Sequence, residues 1–268
     1  TMQQAGTHLK STDRSERKEV FDLTAARRME DANEMDEILT EMVTIRTEAA
    51  KNAGFDNYRD YKFKAMGRFD YQVKDCFDFH NSIAKEIVPI VKTFAEERKS
   101  KLGYDTLKPY DLSVSLDGKQ PLKPFKSGEE MLDKTIDLFY KIDTYCGERL
   151  EIMKEMKHLD LESKTGKAPG GYNYPLYEIG VPFIFMNSVG LHRDLVTMVH
   201  EGGHAVHSFL SRDLPLTSFK SLTSEIAELA SMSMELMSME NWDSIYDNPE
   251  DLKKAKREKL EVVRGLLP

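Results

Sequence analysis

The chain has 268 residues, a formal net charge of −8, 31% charged residues and two cysteines. A pI near 5.5 with no basic stripe excludes nucleic acid as the main partner. A mean hydropathy of −0.53, with no apolar run near the roughly eighteen residues of a span, predicts no membrane association.

Cys76 and Cys146 lie far apart in helix-like sequence and form no disulfide framework, so a reducing, cytoplasmic setting is expected. The first six residues read as the middle of a protein, and the last helix, over 251–267, runs straight to Pro268. A fragment of a longer protein is therefore expected.

Residues 13–28 read as a helix opened by Asp13 with Glu16 three positions on. The next helix carries Met35, Ile38, Leu39, Met42, Ile45 and Ala49 as one apolar stripe, with Gly54 as its stop. Another begins among the aromatics of 55–61. A long helix over 73–101 is interrupted by Pro89, which predicts a kink, and ends at Gly103. Three prolines and Asp117-Gly118 make 104–126 a connecting loop. Ser127 and Glu130 then form a capping box for a helix to about 145, continuing or restarting to about 158.

Composition changes at Glu162. Residues 163–177 are rich in Gly, Lys, Pro and Tyr, and 181–187 is the strongest strand candidate. Such a strand can offer an edge to an extended peptide, or can simply cover the core; the residues alone leave both open.

The sequence His200-Glu201-Gly202-Gly203-His204 follows. Leu195, Met198, Val199, Val206, Phe209 and Leu210 recur at helical spacing, which predicts a buried amphipathic helix as its carrier. Residues four apart on a helix share a face, so His200 and His204 can present two imidazole nitrogens to one metal ion. Glu201 points to the side of that pair, where it can take a proton from a water at the metal. Each glycine costs a helix interior about 1 kcal/mol relative to alanine. The pair makes sense where something approaches the backbone closely. Four of the seven histidines (His192, His200, His204, His207) crowd into this region.

Two neutral imidazoles do not compensate a divalent cation, and a hydrolytic site usually adds one further protein ligand while keeping a position open. A helix beginning near Thr223 offers Glu225, Glu228 and Glu235, all of which can lie near one face. The residues themselves do not choose among the three.

The segment 197–208, followed by 228–235, resembles the zinc site of the oligoendopeptidase F and thimet oligopeptidase family, helical metallopeptidases that cut short peptides. Residues 167–172 resemble that family's Gly-Tyr loop, 182–187 its strand, and 55–61 with Gly67-Arg68 its upstream helical region. The resemblance implies a mainly α, multi-helical, zincin-like metallopeptidase with a small β-element beside the zinc helix. It implies Zn2+ held by His200, His204 and Glu228, with Glu201 as general base. Glu225 and Glu235 become candidates to accept the far ring N–H of a zinc histidine, and His207 a hydrogen-bonding or packing residue. Gly171, Tyr172 and Phe185 are expected to contact substrate.

Residues 1–162 are expected to form one wall of the substrate cleft and 163–268 the zinc-binding region. Family members commonly carry a bulky residue where this chain has Gly202, which predicts slack beside the metal. Their late tyrosines and histidine have no match here, leaving Tyr172, Tyr174, Tyr177 or His192 to stabilise an oxyanion. The rival expectation is a zinc- and peptide-binding helical protein, or fragment, that does not catalyse.

Overall fold

The computed structural model describes residues 1–267, with residues 263 and 264 described by main chain only. Pro268, the expected end of the last helix, lies outside the described residues. In chain order the helices are α1 (Met2–His8), α2 (Arg14–Glu30), α3 (Ala32–Asn52), α4 (Tyr58–Ala65), α5 (Val73–Ser82), α6 (Val88–Leu102), α7 (Gly128–Ile142) and α8 (Thr144–Glu155). Strands β1 (Leu159–Glu162), β2 (Tyr172–Tyr174) and β3 (Phe183–Ser188) come next, then α9 (His192–Ser211), α10 (Thr217–Lys220), α11 (Ser224–Ser238) and α12 (Pro249–Glu261).

The punctuation of the sequence explains most boundaries. Asp13 accepts from the Ser15 N–H at 2.8 Å to open α2, and Ser127 accepts from the Glu130 N–H at 3.1 Å to open α7. The Glu130 carboxylate reaches back one residue further than a capping box requires, to the Lys126 N–H at 2.8 Å. Asp143 adopts extended backbone, ends α7 and caps α8, so the helix expected beyond 145 restarts two residues earlier. Pro89 sits in the first turn of α6, immediately after a π turn over Ile83–Ile87. There its missing N–H is tolerated.

The chain packs as two compact units, one of residues 1–11 with 119–261, the other of 12–118 with 262–268. Residue 162 marks a change of composition and not of packing, because α7 and α8 pack against α9. In the second unit the buried centre is polar. Asp111, fully buried, accepts from Arg14 at 2.8 Å, Arg17 at 3.0 Å and the Lys108 N–H at 2.9 Å, which ties the loop after α6 to α2. The apolar stripe of α3 does not face this centre. Met35, Leu39 and Ile45 are each more than half exposed, and the buried residue of α3 is Ala50, near its C-terminal end.

The first unit holds the hydrophobic core. Phe139, Leu150, Met153, Ile184, Leu195, Met198, Phe209 and Trp242 are all fully buried between α7, α8, α9 and a three-stranded sheet. Its strand order is β1-β3-β2, with β1 parallel and β2 antiparallel to β3. The short strand β2 is therefore an edge. No helix among the described residues is long and apolar enough to cross a membrane.

Candidate metal centre

Helix α9 is buried along the face carrying Leu195, Met198, Val199, Val206 and Phe209, whereas Leu210 is 65% exposed and falls outside the predicted stripe. The two glycines answer to close neighbours on different sides. A Cβ at Gly202 would lie 2.8 Å from the Phe139 ring, and one at Gly203 would lie 2.9 Å from the Ser231 Cα in α11. Phe139 fills the space beside Gly202, so the expected slack next to the metal is absent. Gly203 lets the backbones of α9 and α11 approach directly.

That approach brings Glu228 under the histidine pair. Glu228 Oε2 is 3.3 Å from His200 Nε2 and Oε1 is 3.8 Å from His204 Nε2. One ligand atom from each of the three residues lies within 4.8 Å of the others, a grouping that can hold a metal ion. Ser231 donates to Glu228 Oε2 at 3.3 Å and steadies the carboxylate. The Glu228 side chain is 53% exposed, so the group opens to solvent on that side.

The two imidazoles sit edge to face, 4.8 Å between centroids, and differ electrostatically. Burial pulls His200 down, but the Glu235 hydrogen bond, with the charges of Glu235, Glu201 and Glu228, outweighs it and raises the net value. For His204, burial and the neighbouring His200 prevail over Glu228 and lower it.

Of the other expected contributors, Glu235 lies on the far side of His200, with Oε1 2.7 Å from Nδ1. Burial would raise the Glu235 carboxyl, yet His200 and Lys259 hold it below its ordinary value. Glu225 is exposed in the first turn of α11, outside the ligand group. His207 is half-buried on α9, also outside the group.

Glu201 is buried, and burial pushes its carboxyl above the usual range, with Glu228 reinforcing. His200 and the main-chain N–H of Asn173 in β2 oppose that rise. Asn173 was not visible in the sequence as a site residue, because a main-chain donor leaves no mark in residue type. Its neighbour Tyr172 is 50% exposed and stacks on its ladder partner Phe185, 5.1 Å between centroids and 11° from parallel. Gly171 precedes them, with the Phe185 carbonyl 3.4 Å from where a Cβ would stand. Tyr172 and Tyr174 line an open concavity of about 530 Å³ with Leu176 and Phe183.

His192 is no candidate for oxyanion contact. It is 3% exposed, hydrogen-bonded through Nδ1 to Tyr246 Oη at 2.7 Å and packed edge-on against Trp242. Its Nε2 is buried near the Ala255 backbone, out of hydrogen-bond geometry. Burial, with Lys10 and Lys259 adding their charges, lowers it to about 4 from 6.5. The unfolded chain thus protonates first on acidification. The stability that the neutral ring contributes is complete above the unfolded value near pH 6.5 and is lost toward pH 4. Between about pH 7.5 and pH 5 this amounts to about 2 kcal/mol of unfolding free energy. Urea unfolding at both values should show that difference shrinking by this amount in His192→Gln; an unchanged difference would assign it to other groups.

The profile of peptidase family M3 matches residues 7–266. The chain is 28% identical over 148 residues to an oligoendopeptidase F homolog of Lactococcus lactis subsp. lactis, covering 55% of this chain and 24% of that protein. It is 25% identical over 184 residues to the plasmid oligoendopeptidase F of Lactococcus lactis subsp. cremoris, covering 69% and 30%. Among solved structures, that of PZ peptidase A with an inhibitor aligns with a TM-score of 0.91 at 28% identity, over 97% of this chain and 46% of that one. The aligned stretches therefore span less than a third of these curated relatives and under half of the solved one. The family match takes in α9, Glu228 and the helices before them, and the chain belongs to peptidase family M3.

Proposed function

We propose that this chain carries the metal centre of a zinc-dependent endopeptidase that hydrolyses internal bonds of short peptides. The observation that carries the reading is the convergence of His200, His204 and Glu228 on one point, with Glu201 buried beside them. Two imidazole nitrogens and a carboxylate oxygen are a donor set suited to zinc, with room left for a further ligand. When bound there, zinc supplies Lewis-acid chemistry, polarising a peptide carbonyl and acidifying water.

The rest falls to the chain. Glu201, its proton affinity raised by burial, takes a proton from the attacking water and delivers it to the leaving amine. Strand β2, at the edge of the sheet, can pair with an extended peptide. Tyr172, stacked on Phe185, lines with Tyr174 the concavity that would receive a side chain. The names of the relatives, oligoendopeptidases among them, favour a short peptide as substrate.

The test is hydrolysis of an internally quenched short peptide by the 268-residue chain and by a form extended to the length of its relatives. Both are assayed with stoichiometric zinc and after chelation. Cleavage between internal residues that chelation abolishes supports the reading. Zinc binding without cleavage by either form would leave a binding protein. Cleavage that survives complete metal removal would overturn the assignment.

A further inference from the structure

We propose that Lys259 is a positioning residue for the metal centre, holding His200 in its ligand orientation through Glu235. This rests on the metal reading of His200 and adds a residue from a third helix to it.

A lysine is seldom buried unless paired. On the charge-rich helix α12, Arg257 keeps a side chain that is 62% exposed. Lys259 instead has a side chain only 9% exposed, and its ammonium donates to Oε2 of Glu235, itself 7% exposed. Ala255, fully buried one helical turn earlier, fixes that face of α12 inward. The two oxygens of Glu235 are thus divided, Oε1 to His200 Nδ1 at 2.7 Å and Oε2 to Lys259. The relay runs from α12 through α11 to α9.

The division has a directional consequence. With one oxygen held by Lys259, the carboxylate cannot rotate away from the imidazole, and its remaining oxygen acts as acceptor toward Nδ1. The Nδ1–H therefore stays on that side, and Nε2 presents its lone pair toward Glu228, 3.3 Å away. The ammonium also keeps Glu235 from being a buried, uncompensated charge. Lys259 does not touch the metal position; it acts by fixing the group that fixes the ligand.

The decisive measurement is zinc affinity of the chain by competition with a chromogenic chelator. Lys259→Met is expected to weaken zinc binding by about 10- to 100-fold, the range for loss of a partner behind a ligand, and Lys259→Arg to restore most of it. Because the effect passes through Glu235, Lys259→Met placed on Glu235→Gln should cost no further affinity. Should Lys259→Met not fold, as judged by circular dichroism, Lys259→Gln is read in the same way. Wild-type affinity in the folded variant, or losses that multiply in the double variant, would show that the pair only braces α12 against α11. His200→Ala in parallel separates the two readings: if it too keeps wild-type affinity, the metal assignment itself has failed.

Discussion

Glu201→Gln is expected to lower kcat on a quenched peptide by about 10²- to 10⁴-fold, the usual contribution of a positioned acid–base group, while zinc stoichiometry stays at the wild-type level. The substitution removes the proton acceptor and little else. Gln has nearly the shape of Glu and can still accept from the Asn173 N–H, so α9 and the approach of β2 should persist. Neither imidazole nor Glu228 is altered. The outcome that would sink the assignment is a variant retaining most of its turnover with zinc in place. A variant that loses both zinc and turnover would mean instead that Glu201 supports the ligand geometry.

Glu228→Ala is expected to remove stoichiometric zinc, with a fall in affinity larger than the roughly 10- to 100-fold that follows loss of a partner behind a ligand. Glu228 supplies the anionic donor of the group, and its two oxygens face the two histidines at 3.3 and 3.8 Å. Glu225→Ala is the matched control, since it removes an acid of the same helix that lies outside the ligand group. Metal content per chain after dialysis distinguishes the two. Stoichiometric zinc in Glu228→Ala would put another carboxylate in the ligand position.

The parts of this centre that could be read from the sequence are those fixed within one helix. His200, Glu201 and His204 follow from a spacing of four and need no knowledge of the rest of the chain. Glu228 could not be separated from Glu225 and Glu235 by spacing, since the choice depends on where α11 crosses α9. That crossing is set by Gly203 against Ser231, a contact between helices that periodicity does not encode. Lys259 was further out of reach, one basic residue among several on a charge-rich helix.

The fold shows the same division. Caps at Asp13 and Ser127 are local chemistry and were legible. The stripe on α3 shows the opposite: helical periodicity marks an apolar face, but it does not say what, if anything in this stretch of chain, lies against it. Phe139 is a further case. Its ring fills the space beside Gly202 from α7, across more than sixty residues of sequence.

The direct contact of α9 with α11 at Gly203 and Ser231 also bears on thermodynamics. On the proposed reading, the three candidate ligands are preorganised by the close packing of α9 on α11, so the conformational entropy of assembling the site would be spent in folding and not in capturing an ion. Metal affinity and global stability then become linked quantities. A cation that binds the folded chain alone raises its unfolding free energy by RT ln(1 + [L]/Kd). By the same linkage, a core substitution at Trp242, bonded to the last turn of α11 through Ser238, would lower the unfolding free energy, and a cation held by the proposed ligands would restore part of it.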